Sequence, residues 1–185
     1  MRKPTNGRQP PDIVIRALAA TDDLDDITRL IHAAYACRAT DNLRYWATHQ
    51  SVDDTRQRFA AGQGLLASVD GTIVGTLTVR PPQPESPVAL YRNPTTWTLA
   101  QYAVLPSHQG RGIGRRLHDA ALTLAWRRGG RTAALDTAEP ASDLIAMYHR
   151  WGYRIAGRCD WRPQTNYPSL VMTRTITPPI ASANP

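Results

Sequence analysis

A strand that runs into three alternating glycines and straight on into a helix constrains this chain more than anything else in it. Residues 102–117 read YAVLPSHQGRGIGRRL. An apolar strand ends at Val104, then come Gln109-Gly110-Arg111-Gly112-Ile113-Gly114, then a helical face of Ile113, Leu117, Ala120, Ala121, Leu124 and Ala125. The first amides of a helix have no intrahelical acceptor and point one way, so they can hold a phosphate, and glycine lets a pyrophosphate approach the main chain. Arg111, Arg115 and Arg116 add positive charge. Two other phosphate loops compete. A P-loop needs Lys and then Ser or Thr after its last glycine, yet the residue five after Gly110 is Arg115. A dinucleotide fingerprint needs glycine at that place on the first strand of the fold, whereas this strand is the fourth. The acidic residue that such a site requires about 20 positions on does exist, as Asp136, so the dinucleotide reading is demoted without being eliminated.

Around this segment the pattern predicts alternating strands and helices. Ile13 to Ile15 form a short strand, and Leu24, Ile27, Leu30, Ile31, Ala34 and Tyr35 follow at helical spacing behind acidic residues. A second helix starts near Ser51, whose hydroxyl can cap it with Asp54 three residues on, and stops before Gly62. Gly64 to Val69 and Thr72 to Val79 pair about Asp70-Gly71, which tolerates the positive φ of a tight hairpin. PPQPESP, residues 81–87, is a surface loop, and a strand resumes from Thr95. The glycine-loop helix ends at Gly129-Gly130, and a strand follows over Thr132 to Asp136. The next helix opens with Pro140 at its first position and closes at Gly152, before strands over Tyr153 to Arg158 and Ser169 to Thr175. One domain over residues 12–176 is expected, with flexible ends over 1–11 and 177–185.

Composition narrows the classes. No run approaches the roughly 20 apolar residues of a membrane span, and the amino terminus lacks the apolar centre of a signal peptide, so no membrane partner and a cytoplasmic location are expected. Cys37 and Cys159 show no metal-ligand spacing and read as packing residues, and no metal is expected. A net charge of +7, carried by arginine apart from Lys3, favours anionic partners. Nucleic acid is nevertheless disfavoured, because no recognised motif is present and the aromatic residues do not interleave with basic ones.

The loop Gln109-Gly110-Arg111-Gly112-Ile113-Gly114, preceded by Ala103-Val104 and Pro106, resembles the Gln/Arg-x-x-Gly-x-Gly/Ala pyrophosphate loop of the GNAT superfamily of N-acetyltransferases. Ala146 to Tyr153, with Tyr148 four residues before Gly152, is similar to that family's Leu-Tyr-x-x-x-Gly-Phe segment. The resemblance spans about residues 12–175. It implies an α/β (α+β) fold: a mixed, mostly antiparallel central sheet of about six to seven strands, flanked by about four helices. The strand ending at Val104 would splay from the next to admit acetyl-CoA as acyl donor. It further implies that main-chain groups of Ala103 and Val104 face the pantetheine, and that Gln109, Gly110, Arg111, Gly112, Ile113, Gly114 and Arg115 surround the pyrophosphate.

The same resemblance raises Tyr148 from a packing residue to a candidate general acid, since a phenol near the thioester sulfur can protonate the departing thiolate. Strand 95–104 departs from the family pattern in carrying no Glu, Asp or His as base. Asp136 and Glu139, just past the neighbouring strand, are then the candidate bases, with a helix-capping role for Glu139 as alternative and an ordered water as a third route. Trp161, Asn166 and Tyr167 between the last strands, and Tyr45, Trp46 and His49 before the second helix, are acceptor-side candidates that packing would equally explain. The expected activity is acetyl transfer to an amine of a small molecule, peptide or protein by direct attack in a ternary complex. The alternative is a non-catalytic acyl-CoA-binding sensor. Pairing of the last strands offers a route to a homodimer.

Overall fold

The computed structural model describes residues 12–39 and 42–178, without the side chains of Cys37 and Ala39. The expected flexibility of both ends, and the packing of Cys37, therefore lie outside the described residues. Seven strands and four α-helices alternate as β1 (Ile13–Ala17), α1 (Leu24–Ala39), α2 (Val52–Ala60), β2 (Gln63–Val69), β3 (Thr72–Arg80), β4 (Thr96–Val104), α3 (Ile113–Arg127), β5 (Thr132–Ala138), α4 (Ser142–Arg150), β6 (Arg154–Asp160) and β7 (Pro168–Thr175). They form one sheet in the order β1-β2-β3-β4-β5-β7-β6, in which only β4 and β5 run parallel. This is the mixed, mostly antiparallel architecture that the sequence implies.

Local chemistry explains most boundaries. Ser51 and Asp54 close a reciprocal capping box at α2, satisfying two amides that the helix cannot. Asp70 and Gly71 both take positive φ, 49° and 81°, at the hairpin between β2 and β3. Pro81 and Pro82 stop β3 at Arg80, because neither can donate to a ladder.

Three details differ from expectation. Helix α4 begins at Ser142 with Ala141 as its N-cap, so Pro140 sits in the preceding turn, where its ring also ends the longer β5. Short 3-10 turns occur at residues 46–48, 89–92 and 106–108, too brief to leave a periodic signal. The proline-rich segment is more than a surface loop: Ser86 and Val88 are buried, and Tyr91 follows them into the interior.

Alternation along the strands divides the core. Leu65, Ala67, Leu77 and Val79 pack with Ile113, Leu117, Ala121 and Ala125 of α3 on one face, while Leu66 and Ala103 meet Ile27, Leu30 and Ile31 of α1 on the other. Among the first set lies a fully buried imidazole. His118 of α3 is within hydrogen-bonding distance of Tyr153 Oη (3.1 Å) and Asp119 Oδ1 (3.1 Å), and its ring centroid lies 4.9 Å from that of Trp151. Burial drives its pKa from 6.5 to about 4, against the pull of Asp119. A depressed pKa means the unfolded chain binds the proton more tightly, so this contribution is complete above pH 6.5 and is lost as pH falls towards 4. Urea unfolding of the wild type should lose up to about 3 kcal/mol across that window from His118 alone. His118→Gln should show a shallower slope of stability against pH over the same range.

Candidate functional site

The site opens where the sheet comes apart. β4 and β5 pair only through Thr96–Thr132, Trp97–Ala133 and Thr98–Ala134, after which β4 continues to Val104 and β5 to Ala138 without a ladder between them. The register of β4 against β3 slips between Ala100 and Ala103, and within that slip Gln101 takes φ 48°. A bulge of this kind turns the strand away from its neighbour. Gln101 is held there by a buried chain of amides and hydroxyls: Gln50 Nε2 donates to Gln101 Oε1 (3.0 Å) and to Thr55 Oγ1 (2.6 Å), and Gln101 Nε2 reaches Thr78 Oγ1 (3.4 Å). The 3-10 turn at 46–48, helix α2 and strand β3 are thereby tied to the bulge.

At one end of the gap lies the glycine loop. Gly110 and Gly112 have φ of 73° and 79°, and α3 starts after Gly112 with no side chain capping it. The amides of residues 111–115 have no backbone acceptor among the described residues. A Cβ at Gly112 would meet nothing within 4 Å, so the turn faces open space and its glycine is required by backbone conformation. Tyr102 Oη donates to Gly114 O and so fastens β4 to the start of α3. Of the polar side chains here, Gln109 donates to Val104 O (3.0 Å) and braces the loop. Arg115 pairs with Asp119 (2.9 Å) and lies 5.6 Å from the Trp151 ring centroid, while Arg111 is exposed.

Between the parted strands is a cavity of about 220 Å³, whose wall includes Tyr148, Asp136, Arg58 and Arg80. Tyr148 comes from the last turns of α4, its ring edge-on to Trp151 and Tyr153. Its hydroxyl makes no hydrogen bond to a described residue, and burial, with nearby Tyr35 and Tyr102, raises its pKa well above that of a free phenol. Asp136 of β5 lies in the cavity wall, crowded by neighbouring residues while its side chain stays accessible to solvent. It accepts hydrogen bonds from Tyr91 Oη (2.8 Å) and Trp161 Nε1 (2.9 Å). Burial raises its pKa above the usual carboxylate value, outweighing those donors and the guanidinium groups of Arg58 and Arg80.

The other acceptor-side candidates divide. Tyr45, Trp46, Trp161 and Tyr167 all reach the cavity wall. Tyr45 and Tyr167 also pack with tilted rings, centroids 5.0 Å apart, so packing and lining coincide. Asn166 does not reach the wall: it accepts from Arg44 N (2.8 Å) and donates to Asn42 O (2.9 Å), pinning a loop. His49 is exposed, within hydrogen-bonding distance of Thr48 Oγ1 (3.2 Å). Glu139 neither caps α4 nor enters the cavity, since Arg158 holds it at 2.6 Å on the surface. Sequence reasoning missed Tyr35, Arg58, Arg80, Gln83 and Tyr91, which reach the wall from α1, α2, the end of β3 and the segment after it. A charged residue closing the apolar run TIVGTLTV was the one available hint.

Comparisons with known proteins agree with this geometry. The family model for the acetyltransferase (GNAT) family matches residues 25–153. The S-(2-succino)cysteine N-acetyltransferase of Bacillus subtilis (strain 168) is 28% identical over 145 residues, 77% of this chain and 86% of that protein. Among solved structures, Ard1 from Thermoplasma volcanium superposes with a TM-score of 0.68 at 15% identity, over 89% of this chain and 98% of the other. A GNAT family acetyltransferase from Elizabethkingia anophelis with acetyl-CoA bound gives 0.64 at 17% identity, over 88% and 97%.

The unbonded hydroxyl of Tyr148 has a direct consequence for stability. Tyr148→Phe keeps the ring contacts and removes no hydrogen bond to the protein, so thermal or urea unfolding should change by less than about 0.5 kcal/mol.

Proposed function

Because the chain belongs to the GNAT acetyltransferase family, we propose that it transfers an acetyl group from acetyl-CoA to the amine of a small molecule or peptide, by direct attack with both reactants in the cleft, in the cytoplasm. The observation that carries this reading is the parted pair of strands, with unpaired amides at one end and a phenol and a carboxylate facing a cavity at the other. Acetyl-CoA supplies an activated acetyl thioester. The amides of residues 111–115 fit its pyrophosphate, because they are open, unpaired and at a helix start. Gln109 acts indirectly in this scheme, as a brace for the loop. The main chain of Ala103 and Val104, beside the bulge, would face the pantetheine.

Proton traffic falls to two side chains. Asp136 would take the proton that the acceptor amine must lose before its nitrogen can attack, and its raised pKa makes it a better base than an ordinary carboxylate. Tyr148 would donate its proton to the sulfur as the carbon–sulfur bond breaks. Its elevated pKa keeps it protonated and ready to do so. Tyr45, Trp46, Trp161 and Tyr167 would shape the acceptor side. The Bacillus subtilis relative takes, by its name, a substituted cysteine, and a small amino compound as acceptor here is in keeping with that. A sensor without turnover would need neither an unbonded phenol nor a carboxylate with a raised pKa at the same cavity.

Gly112→Asp should weaken coenzyme A binding at least tenfold by isothermal titration, and more than Gly112→Ala, which carries the same backbone strain at φ 79° without a carboxylate projecting where the pyrophosphate lies. Undiminished affinity would place the phosphates elsewhere. Tyr148→Phe should lower kcat by roughly 10²- to 10⁴-fold at unchanged acetyl-CoA affinity. Asp136→Asn should lower kcat/KM by a similar factor and abolish the acidic limb of its pH profile. In the wild type that limb should lie above the usual carboxylate range, activity rising as Asp136 loses its proton.

A further inference from the structure

The cavity holds more positive charge than it needs for itself. Arg58 reaches it from α2 and Arg80 from the last position of β3, opposite Thr98, where the ladder between β4 and β5 ends. Arg58 gives one N–H to Gln50 Oε1 (2.7 Å) and lies 5.1 Å from the centroid of the Trp46 ring, so its side chain is oriented by two neighbours. No carboxylate pairs with it among the described residues. The Arg80 side chain makes no hydrogen bond or ion pair to a described residue, and its Nε is buried without a partner. The two guanidinium groups are close enough to repel: Arg58 has its pKa lowered to about 10, first by burial and next by Arg80.

Among the described residues Asp136 is the only carboxylate in the cavity wall. Each of its oxygens accepts one hydrogen bond, from Tyr91 and Trp161, and neither arginine forms an ion pair with it. Two half-buried guanidinium groups facing one carboxylate that pairs with neither is an arrangement that costs stability unless something else supplies negative charge. Guanidinium also presents paired donors that match a carboxylate better than a lysine ammonium would.

We infer that Arg58 and Arg80 form a carboxylate-binding subsite, so that the acceptor is an amine carrying a carboxylate, in the manner of an amino acid, with its nitrogen at Asp136 and its carboxylate at the two arginines. This rests on the acetyltransferase reading and specifies its substrate class. The subsite fixes the orientation of the acceptor and excludes amines whose only charge is positive, since these would face two cations in place of one partner. A free amino acid and a peptide bearing an acidic residue next to its terminal amine share this chemistry, and the assay separates them.

The test measures binding and turnover separately. Thermal stabilisation by amino acids, by their carboxamides, by simple alkylamines and by short peptides with an acidic residue after a free amino terminus is compared without cofactor. The same set is then assayed for thiol release from acetyl-CoA. At least one acid should stabilise the wild type and be turned over at least about tenfold more efficiently than its carboxamide, the size expected for hydrogen bonds to a charged group. Arg80→Gln and, independently, Arg58→Gln should bring that acid-to-amide ratio close to one, chiefly through the acceptor KM, with the KM for acetyl-CoA unmoved. Arg80→Lys should restore part of the ratio. Circular dichroism identifies any variant that fails to fold, and the other arginine then decides the question. Carboxamides or alkylamines accepted as well as acids, or a ratio unchanged in both variants, would overturn the subsite and leave acetyl transfer standing. Binding of acids that depends on both arginines, with no thiol released from any amine, would uphold the subsite and overturn the acetyltransferase reading instead.

Discussion

Three ladder pairs between β4 and β5 hold this protein's two halves together, and the loss of the fourth creates its site. A parallel pair that ended at the sheet's rim would leave only an edge. Here both strands run on, β4 by six residues beyond Thr98 and β5 by four beyond Ala134, and side chains from α1, α2, β3 and α4 line the space they leave. Left-handed backbone at a residue other than glycine is costly, and at Gln101 it is supported by Gln50 and Thr78, which hold its side-chain amide, with Thr55 in turn holding Gln50. The polar core of this face is therefore the device that keeps the strands apart.

That same network sets the chemistry of the cavity. Gln50, which secures the bulge, also orients Arg58. Strand β5 delivers Asp136 to the gap, and the segment after the prolines delivers Tyr91 to its Oδ1. Burial then acts in opposite directions on function: it raises the carboxyl of Asp136 and the phenol of Tyr148, making one a stronger base while keeping the other protonated.

The glycine loop and the cavity are coupled through β4. Tyr102 belongs to the cavity wall and donates to Gly114 O at the start of α3, so the strand that lines one site also fixes the helix terminus of the other. Gln109 adds a second tie, from the loop back to Val104 O. A cofactor spanning the two would thus meet a rigid frame, consistent with the tight packing of Ile113, Leu117 and Ala121 beneath the helix.

The sequence by itself determined the elements and the loop. Periodicity placed all seven strands and four helices to within a few residues, and the spacing of Gly110, Gly112 and Gly114 located the open amides, because these properties depend on neighbours within a turn or two of the chain. Tyr148, too, was legible, from its distance to Gly152 in a recognisable segment. Tertiary structure alone decided which polar residues share a cavity. Asp136 and Glu139 were equivalent as letters, three residues apart past one strand. Only the fold brings the first to the cavity wall, between Tyr91 and Trp161, and leaves the second outside it with Arg158. Arg58 and Arg80 are 22 positions apart on a helix and a strand, and nothing local distinguishes them from the chain's other arginines. Their meeting requires β3, α2 and the bulge to assemble first, since a long-range contact is written in the packing of many residues and in the pattern of none.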